Sequence, residues 1–269
     1  VPLSPLLRTY DQVILDLDGC VWVGGLATSR APDALAALRE AGKRVVFLTN
    51  DGRHSPEEYV RKLWSIGCRA SVEEVVSVGT AIEAELAQTE PGGAFVIGAR
   101  AVFRHVAAAG YRILNQTAMA EQADVVVVVG HDELDYAELR TAVRAVLGGA
   151  RMISGSRDAT FPDAGGPSLG TGAITAALEY ATKRTAQAVG KPDAQIFATA
   201  LARLGSGRTL VIGDGLASDL AGAAAAGLDG AIVLSGVTSR EQAELAIDPA
   251  PVAIAPDLGR LVLADRCSQ

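Results

Sequence analysis

Short runs of β-branched and aliphatic residues, each followed by an alanine-rich stretch of helical character, recur along this chain. That alternation limits the fold more than any other feature. Parallel strands cannot be joined by a tight turn, so each needs a crossover, usually a helix. Val13-Ile14-Leu15 runs into Asp16, and the pattern predicts a helix over Ala31 to Ala41, with Pro32 near its start and Gly42 closing it. Val45-Val46-Phe47-Leu48 reads as the next strand, and a helix over Pro56 to Ile66 stops at Gly67. Strand-length runs follow at Ala94 to Ile97, Arg112 to Leu114, Val125 to Val129 and Met152-Ile153. A helix over Gly172 to Thr182 then precedes strands at Leu210 to Ile212, Ala231 to Leu234 and Val252 to Ile254. These runs are continuously apolar rather than alternating, as expected of strands covered on both faces. The prediction is an α/β protein with roughly nine or ten strands, enough for two domains.

Composition narrows the function classes. With 269 residues, 49% hydrophobic and 20% charged, the chain carries enough apolar surface for a sizeable core and is not disordered. A net charge of −7 argues against nucleic acid as partner, because neutralising phosphates along a duplex needs clustered Lys and Arg. It leaves room for a small anion at one locally positive site. Cys20, Cys68 and Cys267 are too widely spaced for a disulfide framework or a metal knuckle and fit a reducing compartment. His54, His105 and His131 lack zinc-ligand spacing. The opening Val1-Pro2-Leu3-Ser4-Pro5 has no basic stretch leading into an apolar one, and no apolar run approaches the ~18 residues of a membrane span. The expectation is a cytoplasmic protein with no membrane or nucleic-acid partner.

Four short segments sit where chemistry belongs in such a fold, outside the carboxyl ends of parallel strands. Asp16-Leu17-Asp18-Gly19 follows the first strand, so two acids can reach one site, one to attack or bind metal and one to handle protons. Read alone, it is as readily an acidic turn. Leu48-Thr49-Asn50 ends the second strand, where a hydroxyl and main-chain N–H groups can hold a phosphate oxygen; alone, an ordinary strand end is the better reading. In Gly190-Lys191-Pro192-Asp193, Pro192 is placed to begin a helix over Ala194 to Leu204, and Lys191 in the loop can bridge a carboxylate and a phosphate. A surface lysine is its simpler reading. Gly213-Asp214-Gly215-Leu216-Ala217-Ser218-Asp219 follows another strand, with Asp219 in or near the first helical turn, where acids are favourable in any protein. Asp214 beside Asp16 would make an oxygen-rich site suited to Mg²⁺.

The order Asp-x-Asp, Thr, Lys, Asp pair, all at strand ends, resembles the haloacid dehalogenase superfamily, and the layout is similar to its type IIA branch, the NagD-like or 4-nitrophenylphosphatase family. Val129-Gly130 through Asp132, Tyr136-Ala137-Glu138-Leu139, Asp158 with Phe161-Pro162, and Gly170-Thr171-Gly172-Ala173 fit the same branch. The likeness runs from about Tyr10 to about Asp257. It implies a Rossmann-like parallel-sheet core over residues 1–79 and 186–269, with an inserted α/β cap over 80–185. Three departures stand out. Cys20 replaces a commoner Thr or Val, and a small apolar side chain should serve there. Asp51 replaces a second Asn and must point away from phosphate or pair, with Arg53 as the candidate. Gly155-Ser156-Arg157-Asp158 replaces a commoner Thr-Asn-Pro-Asp, closer to the pyridoxal phosphate phosphatase variant.

The resemblance implies a Mg²⁺-dependent phosphomonoester hydrolase acting on a small phosphorylated metabolite. Asp16 would be the nucleophile, forming an aspartyl-phosphate, and Asp18 the acid and then the base. Mg²⁺ would lie on Asp16, the main-chain carbonyl of Asp18, and Asp214, with Asp219 in support. Thr49, Asn50 and Lys191 would hold phosphoryl oxygens, and the cap residues Arg157 and Asp158 would read the rest of the substrate. A homodimer through the cap is expected. Two other readings compete. A non-catalytic phospho-acceptor also uses strand-end acids, Thr and Lys, but lacks the second Asp of the pair and is about half as long. A phosphomutase keeps the pair but carries small helical inserts nearer the first motif, unlike the strand-rich insert here.

Overall fold

The computed structural model describes residues 1–131, 133–163 and 166–264. Asp132 and Cys267 lie outside them, and Cys20 and Cys68 are free and buried. The chain divides into two units, one of Val1–Thr49, Pro56–Val76 and Lys191–Gln269, the other of Asn50–Ser55 and Ser77–Gly190.

The first unit is built on a six-stranded sheet in the order Ala253–Ala255, Asp229–Val233, Thr209–Gly213, Gln12–Asp16, Arg44–Thr49, Val75–Ser77. The first five pair parallel throughout. Gln12–Asp16 and Thr209–Gly213 are buried at every position, which explains why their sequences do not alternate. Helix Ala31–Glu40 turns Ala31, Ala34, Leu35 and Leu38 inward at helical spacing, and these join Leu15, Phe47 and Leu210 in the core. Chain order crosses from Gln12–Asp16 out to Arg44–Thr49 on one side and to Thr209–Gly213 on the other. The central strand end is therefore a switch point, where ligands bind in open parallel sheets.

Beyond Asp16 the chain forms a small antiparallel hairpin, Trp22–Val23 with Leu26–Ala27, which the strand pattern did not anticipate. Gly24 and Gly25 both hold positive φ, +56° and +86°, as a two-residue hairpin turn of matching twist requires. The pair Gly24-Gly25 was the available signal.

The second unit holds a five-stranded sheet in the order Gln187–Ala188, Arg151–Ser154, Val125–Val128, Gly93–Ile97, Arg112–Ile113, parallel at every pairing. Phe95, Ile97, Val126, Val128 and Met152 pack there with Ala142, Val146 and Leu178. A hairpin of Thr160–Asp163 and Gly166–Leu169 is added, also unanticipated. The limits of this unit differ from the expected 80–185 for local reasons. Ser77 accepts a hydrogen bond from the Thr80 N–H and so caps helix Val78–Leu86. Gln187–Ala188 extends the sheet at its other end, pairing with Ile153 and Ser154. Residues 50–55 group with the second unit because Gly52 lies against Val129, Val102 and Val78, leaving no room for a side chain.

Candidate active site

The carboxyl ends of the central strands of the first unit carry one buried ionic cluster. Asp16, Asp214 and Asp219 are all buried, each offering a carboxylate oxygen, and these oxygens lie within 4.8 Å of one another. The Lys191 ammonium, 4% exposed, donates to Asp16 Oδ1 and, at 2.8 Å, to Asp219 Oδ1. The simpler reading of Lys191 as a surface residue fails, because the loop before helix Ala194–Leu204 carries it inward.

Each acid is held by its local backbone. Asp16 ends its strand level with Leu48, which puts Thr49 one residue further along the neighbouring strand, buried. Asp214 Oδ2 accepts from the Val237 N–H at 2.6 Å. A Cβ at Gly19 or Gly236 would run into the Asp214 carboxylate, so those glycines are required by close approach. Asp219 lies in a turn of π-helix, Leu216–Leu220, where Gly215 N–H and Ser218 Oγ donate to its Oδ2 at 3.0 and 3.1 Å. Such turns are frequent at functional sites. Gly236 and Val237 carried no sequence signal, because their role is to fit around Asp214, which is distant in the chain.

The electrostatics follow from burial. Three carboxylates and one ammonium leave a formal charge of −2 out of water. Burial pushes the Asp16 carboxyl well above its ordinary range; Lys191 pulls it back, and the charges of Asp219 and Asp214 raise it further. Asp214 is raised chiefly by burial as well, against the hydrogen bond from Val237. Burial alone would lower Lys191, but Asp16 and Asp219 hold it above the ordinary lysine range, so it is an ammonium. An all-oxygen donor set with two surplus negative charges fits a hard divalent cation such as Mg²⁺.

Asp18 has a different environment from Asp16. It is exposed, and its Oδ1 accepts a 2.7 Å hydrogen bond from Trp22 Nε1. Cys20 is fully buried, its thiol pushed up by burial and by the nearby acids, and behaves as a small apolar residue.

Within the second unit, the Asn50 amide donates to Asp158 Oδ2 at 2.9 Å. Asp51 pairs as its position demanded. Its Oδ1 accepts from the Arg53 N–H and Nε, both at 2.9 Å, and its Oδ2 lies 3.0 Å from His54 Nδ1. Burial would raise this carboxyl, but those bonds outweigh it and hold it well below the ordinary range.

Arg157, expected to contact the substrate, is engaged within its own unit. Its Nη1 donates to Glu179 Oε1 at 2.8 Å and its Nη2 to the Ala186 carbonyl at 2.6 Å, so the guanidinium ties the loop to helix Thr171–Thr182. The partner is Glu179 rather than the adjacent Asp158. Arg157→Ala is therefore expected to cost about 1 kcal/mol of stability, the range of a half-exposed pair plus one hydrogen bond. The ratio of kcat/KM on an anionic-tailed phosphomonoester to that on 4-nitrophenyl phosphate should not change. A selective rise in KM for the anionic substrate would return Arg157 to the substrate.

Along most of its length the chain is similar to known proteins of one family. The profile of haloacid dehalogenase-like hydrolases matches residues 13–112, and a second profile, HAD-hydrolase-like, matches 188–261. The D-glycerol 3-phosphate phosphatase of Mycobacterium tuberculosis is 32% identical over 239 residues, which is 88% of this chain and 66% of that protein. The 5'-nucleotidase YutF of Bacillus subtilis is 30% identical over 238 residues, 87% of this chain and 91% of that one. A solved structure of glycerol phosphate phosphatase from Mycobacterium tuberculosis in complex with magnesium superposes with a TM-score of 0.89 at 32% identity, covering 97% of this chain and 78% of that chain. The chain belongs to the haloacid dehalogenase-like hydrolases, in their NagD-like, type IIA branch, and is a phosphatase. Among the described residues no helix is long and apolar enough to cross a membrane.

Proposed function

We propose that this chain is a Mg²⁺-dependent hydrolase of small phosphomonoesters that works through an aspartyl-phosphate on Asp16. The observation that carries the reading is the Lys191 ammonium bridging Asp16 and Asp219 beside Asp214, buried at the sheet's switch point. Asp16 and Asp214, with the main-chain carbonyl of Asp18, would hold the ion, and Asp219 would support them. A bound Mg²⁺ supplies positive charge that offsets the repulsion between an anionic nucleophile and an anionic phosphate.

The chain's own groups do the rest. Asp16 attacks phosphorus in line; its new P–O bond forms as the ester P–O bond breaks. Asp18 gives its proton to the leaving oxygen. In the second half it takes a proton from water, the water oxygen bonds to phosphorus, and the Asp16–phosphorus bond breaks to release phosphate. Lys191 orients Asp16, and it stabilises phosphoryl oxygens together with the Thr49 hydroxyl and the Asn50 N–H. By the family resemblance the second unit corresponds to the cap domain, to which the choice among substrates is assigned. The family resemblance also supports a homodimer through that unit, which light scattering of the purified chain would test.

The decisive experiment is phosphate release from a panel of small phosphomonoesters, followed by rapid acid quench of a labelled substrate. Release with a labelled, hydroxylamine-labile protein intermediate supports the reading. Isomerised sugar phosphate without release would make the chain a phosphomutase, and stable labelling without turnover a phospho-acceptor.

Metal removal should be equally clear. Turnover is expected to vanish in excess EDTA and return with Mg²⁺, while Ca²⁺, with more ligands at longer distance, inhibits. The raised carboxyls of Asp16 and Asp214 add a pH signature. A carboxyl raised by folding keeps protons the unfolded chain has lost, so metal-free stability declines as pH rises through that window. The ion competes with those protons, so the rise in Tm on adding Mg²⁺ should grow with pH across the same window. Full activity after exhaustive chelation would sink the proposal.

A further inference from the structure

The proposed reaction needs one carboxyl oxygen to stay in line with a leaving group while its proton moves, yet Asp18 is the exposed member of its pair. What holds it is a buried indole. Trp22 is fully buried and donates from Nε1 to Asp18 Oδ1 at 2.7 Å. The main chain closes the same loop, with the Gly19 N–H on the Trp22 carbonyl at 2.7 Å and the Trp22 N–H on the Leu17 carbonyl at 3.1 Å. The ring is fixed in turn by helix Pro56–Ser65. Tyr59 stacks on it, centroids 6.5 Å apart and planes 9° from parallel, and Lys62 Nζ lies 4.0 Å from the ring centroid. Tyr59 and Lys62 are three residues apart and so share one helix face. A cation over an indole is attracted by its π-face and, by drawing on its electrons, strengthens its N–H as a donor.

Resting on the reaction proposed above, we infer that Trp22 is a positioning residue for proton transfer, fixing Asp18 by Oδ1 so that Oδ2 faces the leaving oxygen, with Tyr59 and Lys62 holding the indole in place. A tryptophan that merely filled the core would need no charged acceptor at its nitrogen and no cation over its ring.

The distinguishing readout is leaving-group dependence. An alkoxide leaves badly without a proton, whereas 4-nitrophenolate leaves well without one. The quantity to measure is kcat/KM, which reports phosphoryl transfer to the enzyme and omits the later hydrolysis common to both substrates. In Trp22→Phe, kcat/KM on glycerol phosphate should fall at least about tenfold more than on 4-nitrophenyl phosphate, a fraction of a full general-acid effect. Lys62→Met, which keeps the side-chain stem, should shift the ratio in the same direction by about two- to threefold. Equal losses on both substrates, or none on either, would overturn the inference.

Two further measurements separate its failure from that of the underlying reaction. Asp18→Asn must itself lose alkyl ester turnover selectively; if it does not, the acid assignment fails first. If Trp22→Phe does not fold, the indole ¹⁵N–¹H spectrum of the wild type decides. The chain has two tryptophans, Trp22 and Trp64, so two indole signals. One should move upfield in Asp18→Asn, as a charged acceptor becomes neutral. Two unmoved signals would overturn the inference.

Discussion

Asp16→Asn is expected to abolish turnover and leave the fold intact. Asparagine matches aspartate in shape, and its oxygen can still accept from Lys191, whose ammonium keeps its second acceptor on Asp219. It cannot form the acyl-phosphate, and no adjacent group replaces it, since Asp18 is pinned to Trp22 and Asp214 to the Val237 N–H. Loss of a nucleophile costs about 10⁴-fold or more in kcat. Stability should move the other way. Removing one of three buried carboxylates cuts the surplus charge from −2 to −1, so the metal-free variant should melt no lower than the wild type. The Tm rise on adding Mg²⁺ should shrink in the same variant. Steady-state kinetics with a thermal melt, with and without Mg²⁺, checks all three outcomes. A folded variant retaining a tenth of the wild-type rate would remove Asp16 from the role of nucleophile.

Lys191→Met should damage both activity and stability. The ammonium is 4% exposed and is the direct partner of two carboxylates that are 7% and 3% exposed, so water does little to screen them. Breaking a buried ion pair on one side strands the other side, at about 3–5 kcal/mol. For a chain of this size that corresponds to a fall in Tm of roughly 10 °C. Mg²⁺ should recover part of that loss by supplying positive charge to the same acids. Activity should not recover, because the lost donor to the phosphoryl oxygens is worth about 10²–10³ in kcat. Asp219→Asn in the Lys191→Met background should be less damaging than the two single changes summed, since their side chains share one bond. Strict additivity in that cycle would mean the Lys191–Asp219 contact carries no energy.

Much of this protein was legible in its residues. Continuous apolar runs such as Val13-Ile14-Leu15 and Val45 to Leu48 had to be strands covered on both faces, because an exposed face would have demanded alternation. Helix starts marked by Pro32 and Pro56 and stops marked by Gly42 and Gly67 depend on backbone chemistry within a few residues, and they appear in Ala31–Glu40 and Pro56–Ser65. Asp16, Thr49 and Asp214 were legible as strand-end residues for the same local reason. The Asp51 charge had to find a partner nearby, and Arg53 is two residues away.

What the chain's local pattern could not supply is anything that depends on distance in space between residues far apart in sequence. Strand Val75–Ser77 joins a sheet whose partner supplies the ordering, and Gln187–Ala188 is two residues long, too short for any periodicity. Arg157 has the same charge and flexibility whether it meets a substrate or Glu179, and only the packing of its loop against helix Thr171–Thr182 selects Glu179. Trp22 reads in sequence as one more apolar residue, yet the hairpin turns its N–H onto Asp18. Lys191 is the clearest case. Alone it is a surface lysine; the topology brings it from 175 positions away to Asp16, where burial makes its charge indispensable. Sequence by itself determined the strands with continuous apolar runs, the helices with marked ends, and which acids end those strands, because those choices are made over a few bonds. The tertiary structure decided which charges are buried together, because that energy depends on distance and dielectric, which exist only once the sheet has formed.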